Sequence, residues 1–301
     1  MYEKILVALD GSQLAEVVLW YAARLAGRLG ASLTLAYVST PGELISHNMY
    51  ECYLQDTTAK VKELAEKYAV ETGKARSVSV NYQILNGMPA EELLNYADKN
   101  KFDLIVLSTQ GKSGIRRWAL GNVASKIVSA TSKQVMLIRA KGGQTDVSKE
   151  KLTNVLVPVD GSRESESILK SVTYLAAELK LPLTLLHIYA HELSAYPSVE
   201  NIKEIEKQRK TRQAYIEKLG SKLRAQGLNV ETVFKEVSQG EEAAEIIKLA
   251  NEGKFSLVAM ATHGRSGIGR WIFGSNAQKV LYEGSTPMLL VRPTKSRKKT
   301  S

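Results

Sequence analysis

The chain has 301 residues, with 41 Lys plus Arg against 31 Asp plus Glu and a formal net charge of +10. At roughly 150 residues per domain, this length predicts two domains, each able to bury its own core. Hydrophobic residues at 44% and charged residues at 24% exclude disordered, collagen-like and disulfide-scaffold classes, and the single Cys52 can close no intramolecular disulfide.

From the N-terminus, Ile5–Leu9 is an unbroken apolar run, as a strand buried on both faces requires. It stops at Asp10, too early for a secretory apolar segment, and no stretch approaches the roughly 20 apolar residues of a membrane span. A cytoplasmic location and no membrane partner are therefore expected. Ser12 can cap the next helix, whose stripe is Leu14, Val17, Val18, Tyr21, Leu25 and Leu29, and Gly30 ends it. The expected elements continue with strand Leu33–Val38, helix Thr57–Glu71, strand Val78–Leu85, helix Ala90–Lys99 and strand Leu104–Ser108. A glycine-rich loop follows, then helix Asn122–Ala130 and strand Val135–Arg139.

The second half repeats this order. Val155-Leu-Val-Pro-Val-Asp-Gly-Ser162 matches Ile5–Ser12 at an offset of 150 residues, and Thr262–Ile268 matches Thr109–Ile115 at 153. A period this long marks a duplicated domain. The expected elements are Val155–Val159, Ile168–Leu179, Leu183–Ile188, Ile202–Ala225, Val230–Val237, Glu242–Ala250, Leu257–Ala261, Asn276–Tyr282 and Met288–Val291. The division is 1–140 for the first domain, 141–150 for a linker marked by Gly142 and Gly143, 151–293 for the second domain and 294–301 for a basic tail. Residues 1–150 carry net +3 and residues 151–301 net +7, four of the latter being Lys295, Arg297, Lys298 and Lys299. The folded part is thus mildly basic, the tail reads as a solvated end, and nucleic acid is not an expected partner.

Five strands alternating with four helices predict an α/β, doubly wound parallel sheet of order 3-2-1-4-5 in each domain, flanked by helices. Ligands in such sheets sit beyond the carboxyl ends of the strands, at the switch point between strands 1 and 4. Asp10, Val38 and the loop after strand 4 should converge there, as should their counterparts in the second copy. In the second copy Gly264 and Gly274 frame nine residues, and Gly274-Ser275-Asn276 opens a helix. Free N–H groups at a helix start, with glycines permitting close approach, form a phosphate cradle. Asp160 can accept from a ribose hydroxyl or a base amine.

These motifs together resemble the universal stress protein family: strand-Asp-Gly-Ser, Thr262-His-Gly-Arg-Ser-Gly267 after the fourth strand, nine residues between glycines, then Gly-Ser. The resemblance spans both halves, as in tandem-domain members. It implies a Rossmann-like fold, ATP as a ligand rather than a catalytic cofactor, and no catalytic residues. Asp160 then matches the aspartate near the adenosine, Ile188 the apolar residue beside the base, and Gly264, Gly274 and Ser275 the phosphate loop. Pro158, Met260, Ala261, His263 and Asn276 complete the candidate set of the second copy. Asp10, Val38, Gly111, Gly121 and Asn122 form that of the first. The first glycine of the family pattern is Ala261 in one copy and Ser108 in the other. Asn122, standing where the second copy has Ser275, occupies room that a phosphate needs, so the second copy is the better candidate.

Other motifs carry less. Gly111-Lys-Ser113 lacks the glycine five residues earlier that a P-loop requires, since Val106 stands there. Lys112, Arg116, Arg117, Arg265 and Arg270 pair with phosphate or are solvated loop charges, and Trp118 and Trp271 read as packing anchors. His187 and His263 have no metal-ligand spacing, and magnesium is left open as the ion that accompanies ATP. The expected function is an adenosine-nucleotide-binding stress-response regulator and not an enzyme. An interaction protein with a vestigial site and a slow ATPase are the alternatives. The apolar edge strands Val135–Arg139 and Met288–Arg292 predict pairing of the two copies, a homo-oligomer and a protein partner the sequence does not name.

Overall fold

The computed structural model describes residues 2–42, 47–71, 77–110, 120–139, 151–191, 198–262 and 273–293. The chain divides into two compact units, Met1–Lys151 with Ser285–Leu289 and Leu152–Gly284 with Leu290–Ser301, and each unit takes its number from the copy of the repeat that makes up most of it. Unit 1 runs β1 (Lys4–Leu9), α1 (Gln13–Leu29), β2 (Ser32–Ser39), α2 (His47–Val70), β3 (Val80–Asn86), α3 (Pro89–Lys99), β4 (Leu104–Ser108), α4 (Asn122–Ala130) and β5 (Gln134–Ile138). Unit 2 runs β6 (Val155–Pro158), α5 (Arg163–Glu166), α6 (Leu169–Leu179), β7 (Leu183–His191), α7 (Val199–Arg224), β8 (Val230–Ser238), α8 (Glu242–Glu252), β9 (Leu257–Ala261), α9 (Ser275–Glu283) and β10 (Met288–Val291).

The strand order is β3-β2-β1-β4-β5 in unit 1 and β8-β7-β6-β9-β10 in unit 2. β1 pairs in parallel with β2 and β4, and β6 pairs in parallel with β7 and β9. The first strand of each unit is therefore central. Ile5, Leu6 and Val7 are wholly buried, and so are Val155 and Val157, because helices cover both faces. Among the described residues no helix is long and apolar enough to cross a membrane.

Each central strand hands over to its helix through the same turn. Asp10 Oδ1 accepts from the Ser12 amide at 3.0 Å and the Ser12 hydroxyl at 2.6 Å, and Ser12 Oγ caps Ala15 N at 3.1 Å. Asp160 Oδ1 accepts from the Ser162 amide and hydroxyl at 2.9 and 2.6 Å, and Ser162 Oγ caps Ser165 N at 3.0 Å. Gly11 and Gly161 lie between at φ of 75° and 84°, a backbone region that side chains disfavour. Asp-Gly-Ser is thus one hydrogen-bonded device rather than three independent preferences.

Three element boundaries differ from expectation for identifiable reasons. α2 begins at His47 and not near Thr57, since the Thr57 hydroxyl bonds back to the Tyr53 carbonyl at 2.7 Å and so sits inside the helix. The expected helix Ile168–Leu179 is preceded by the separate turn α5. Ser165 Oγ donates to Ser162 O at 3.0 Å and Ser167 Oγ to Glu164 O at 2.6 Å, local bonds that close one turn and end it. β6 stops at Pro158, which has no N–H to donate, and its pairing with β9 is confined to Val155 and Leu156, while Val159 N still donates to Leu186 O of β7 at 2.8 Å.

α1 packs on α2 through Gly27. A Cβ there would lie 2.2 Å from the Ala65 carbonyl oxygen and 2.9 Å from Tyr68 Cβ. Ala exceeds Gly in helix propensity by about 1 kcal/mol, whereas overpacking typically costs about 1–3 kcal/mol. The contact is with backbone, so the clash should win. Gly27→Ala is expected to lower the denaturant midpoint of the protein, and a raised midpoint would refute this packing.

Candidate functional site

The carboxyl ends of β6, β7 and β9 open into a cleft of about 320 Å³ within unit 2, a volume at the lower end of small-molecule sites. β6 supplies Pro158 and the following Asp160, β7 supplies Ile188, and β9 supplies Met260 and Ala261. The start of α9 supplies Gly274, Ser275 and Asn276. The structure thus brings together these eight sequence-derived positions, separated by up to 118 residues between Pro158 and Asn276, at one switch point. Gly111, His263 and Gly264 lie outside the described residues, as do Lys112, Arg116, Arg117, Trp118, Arg265, Arg270 and Trp271.

Two of the contributing ends are held rigidly. His187, 1% exposed, brings Nδ1 within 2.8 Å of the Val159 carbonyl oxygen. A carbonyl only accepts, so Nδ1 carries the proton and ties β7 to the end of β6. Ser165 Oγ accepts from the Asp160 amide at 3.2 Å, completing the support of the aspartate turn. Asp160 therefore has a structural duty through Oδ1 and a place on the cleft wall at the same time.

α9 starts without a side-chain cap, its N-cap being Gly274 at φ −59°, ψ 139°. Gly274 N donates to the Thr262 carbonyl at 2.8 Å, so its position is fixed from behind. Any residue adopts such a φ, hence glycine here serves space rather than backbone freedom. The first-turn amides of a helix have no intrahelical partner and carry the positive end of its dipole. Ser275 adds a hydroxyl beside them, which makes this corner suited to an oxyanion.

Several wall residues escaped the sequence reading: Ser165, Tyr189, Arg212, Glu242 and Ile246. Ser165 was signalled by its spacing of three from Ser162, and Tyr189 by adjacency to Ile188. Glu242 and Ile246, four apart, share one face of α8. Arg212 had no signal, because α7 is charged along much of its length and only the fold shows which turn passes the cleft.

In unit 1, Asp10 follows β1, Val38 lies on β2, Gly121 caps α4 and Asn122 begins it. The corresponding wall differs: by the offsets of 150 and 153, Ala15 stands for Ser165, Ser39 for Tyr189, Pro89 for Glu242 and Val123 for Asn276. A Cβ on Gly121 would meet the Thr109 carbonyl oxygen at 3.3 Å. A different cleft, of about 860 Å³, runs between α1 and α2 beside Glu16, Trp20 and Tyr53, and it is lined by none of Asp10, Val38, Gly121 or Asn122. Tyr53 donates to Glu16 at 3.0 Å, and burial, then the Glu16 charge, push its hydroxyl far above the usual range, so it remains a donor at neutral pH. Among the described residues no group of three or more His, Cys, Asp or Glu can hold a metal ion.

The unit is of the doubly wound α/β class, with a cleft at its switch point. The sequence profile of the universal stress protein family matches residues 1–139 and 151–292, and the chain belongs to that family, with two copies in tandem. It is 31% identical over 150 residues to a universal stress protein of Methanocaldococcus jannaschii, spanning 46% of this chain and 83% of that one. It is 23% identical over 295 residues to one of Mycolicibacterium smegmatis, spanning 96% of this chain and 97% of that one. The crystal structure of a universal stress protein from Archaeoglobus fulgidus matches with a TM-score of 0.65 at 15% identity, covering 96% of this chain and 98% of that one. At that identity the likeness speaks for the fold.

The turn at Ser162 makes a separate prediction. Ser162→Ala removes both the cap on Ser165 and a donor to Asp160, and cap removal costs about 0.5–2 kcal/mol. The variant should lose stability in that range by urea denaturation. Unchanged stability would show that the turn holds without its serine.

Proposed function

We propose that unit 2 binds an adenosine nucleotide, ATP, in this cleft, and that the protein acts as a stress-response regulator whose nucleotide state biases a protein partner or a homo-oligomer. One observation carries the reading: an apolar floor of Ile188 and Met260, a carboxylate at Asp160 and the uncapped start of α9 face the same 320 Å³ space. The floor suits a base, the carboxylate a ribose hydroxyl, and the helix start a phosphate. Family membership agrees with such a ligand and does not by itself assign it. The Asp160 carboxylate already holds the Ser162 turn, and the reading gives it no role as a general base. We assign the protein no reaction. Magnesium enters this reading only as the companion of the nucleotide, and a cytoplasmic location belongs to the same proposal.

The weaker site is unit 1. Val123 and Pro89 replace polar wall residues there, and Asn122 is bulkier than Ser275, so an interaction role without nucleotide is favoured for that copy. Analysis of nucleotide released from the purified protein by denaturation tests the first level: retained ATP supports the reading, and ADP formed by turnover would turn it towards an ATPase. Gly274→Val should abolish ATP binding in isothermal titration, because its branched side chain fills the space before the α9 amides while φ of −59° remains accessible. Gly121→Val should affect binding far less. Equal losses at both positions would overturn the assignment to unit 2.

A further inference from the structure

The cleft of about 860 Å³ between α1 and α2 of unit 1 is lined by the buried Thr57 and Val61 and the half-buried Leu19, Trp20 and Leu64. Along its α2 rim Asp56, Lys60, Glu63 and Lys67 are exposed and follow one another at spacings of four, three and four residues. That is the period of a helix-pairing seam, written here in charges of alternating sign. A stripe of alternating charge is on its own an ordinary solvated helix face. The apolar cleft beside it, and the contrast with the other copy, set this one apart.

The second copy shows what the fold itself needs at this place. Tyr53 donates to Glu16 at 3.0 Å in unit 1, and Tyr215 donates to Glu166 at 2.8 Å in unit 2. One tie thus joins the helix after the central strand to the long helix in both. Counted from these tyrosines, Leu54, Thr57 and Val61 match Ile216, Leu219 and Leu223, all buried. The inward face is therefore common. The outward face is not: Asp56, Lys60 and Glu63 stand against Lys218, Lys222 and Ala225, and Trp20 and Leu64 against Lys170 and Gln226. A unit of the same topology forms without the tryptophan and without the alternation.

Deepening the homo-oligomer part of the reading above, we propose that this face of unit 1 binds the same face of a second copy of the chain. The two α2 helices lie antiparallel about a twofold axis level with Val61 and Lys62. In that register Asp56 faces Lys67 of the second copy and Lys60 faces its Glu63, and symmetry repeats each pair. Tyr53 falls level with Val70, which is 70% exposed. Trp20 and Leu64 border the seam and supply the apolar contact that charges alone do not. A parallel twofold would set every residue against itself and bring like charges together, so the pattern also fixes the direction. The matching positions of unit 2, Lys218, Lys222, Ala225 and Asn229, hold no acid to pair with their lysines.

Analytical ultracentrifugation of the full chain over a range of concentrations reads the association. Lys60→Glu and Glu63→Lys each set like charges against one another twice and should weaken dimerisation about 10-fold or more. An equimolar mixture of the two variants regains opposite charges at both contacts and should dimerise within about threefold of the unaltered protein. The mixture is its own control for folding, since misfolded variants cannot rescue one another. Trp20→Lys, which installs the residue type of the other copy, should weaken the dimer about 10-fold or more. A dimer that all three substitutions leave unchanged, or a loss that mixing does not rescue, overturns the inference and leaves a homo-oligomer built through another face. An unaltered protein that stays monomeric removes the homo-oligomer reading as well. None of these outcomes bears on nucleotide binding by unit 2, which titration with ATP reads separately.

Discussion

The geometry of the cleft in unit 2 depends on the hydrogen bonds that Asp160 Oδ1 accepts from Ser162. They turn the chain sharply at Gly161 and start the single-turn helix α5 directly beyond β6, so that the strand ends below the cleft. The same contact sets where the carboxylate can point. Because the turn is made by a side chain that also lines the cleft, the local fold and the candidate site cannot be altered independently. A parallel sheet adds the second constraint: with the first strand central, the crossovers leave β6 and β9 in opposite directions and open a crevice between their ends.

Duplication lets each unit serve as a control for the other. The Asp-Gly-Ser turn is reproduced within a tenth of an ångström at its hydroxyl contacts, as a device required by folding should be. The wall residues are not reproduced: Ser165, Tyr189, Glu242 and Asn276 have no polar counterpart of the same size in unit 1. The turn that starts the first helix is thus common to both copies, whereas these four wall positions belong to unit 2 alone.

Much of this was legible beforehand, for physical reasons. Strands buried on both faces, such as Ile5–Leu9 and Leu257–Ala261, read as apolar runs, and their alternation with helices limits the topology to a doubly wound sheet. The glycine and small polar residues at 160–162 and 274–276 mark turns and helix starts by chemistry that short windows reveal. Less legible was anything decided by side chains bonding to their own backbone. Thr57 looks like a helix start and is interior to α2, although Tyr50, Leu54, Thr57 and Val61 hold helical spacing and are all buried. The serines at 165 and 167 close a separate turn ahead of the expected helix Ile168–Leu179. Arg212 was invisible for a third reason, since its place on the cleft wall comes from where a long helix crosses the end of another strand.

If Asp160 serves ligand as well as turn, two measurements on one variant read the two duties apart. Asp160→Ala should melt earlier, by about 1 kcal/mol of stability. Measured by titration below its melting transition, it should bind ATP about 10- to 150-fold more weakly than the unaltered protein, as loss of a charge-assisted hydrogen bond predicts. A protein that melts earlier yet binds ATP with unchanged affinity would contradict the account and leave Asp160 as a structural residue alone.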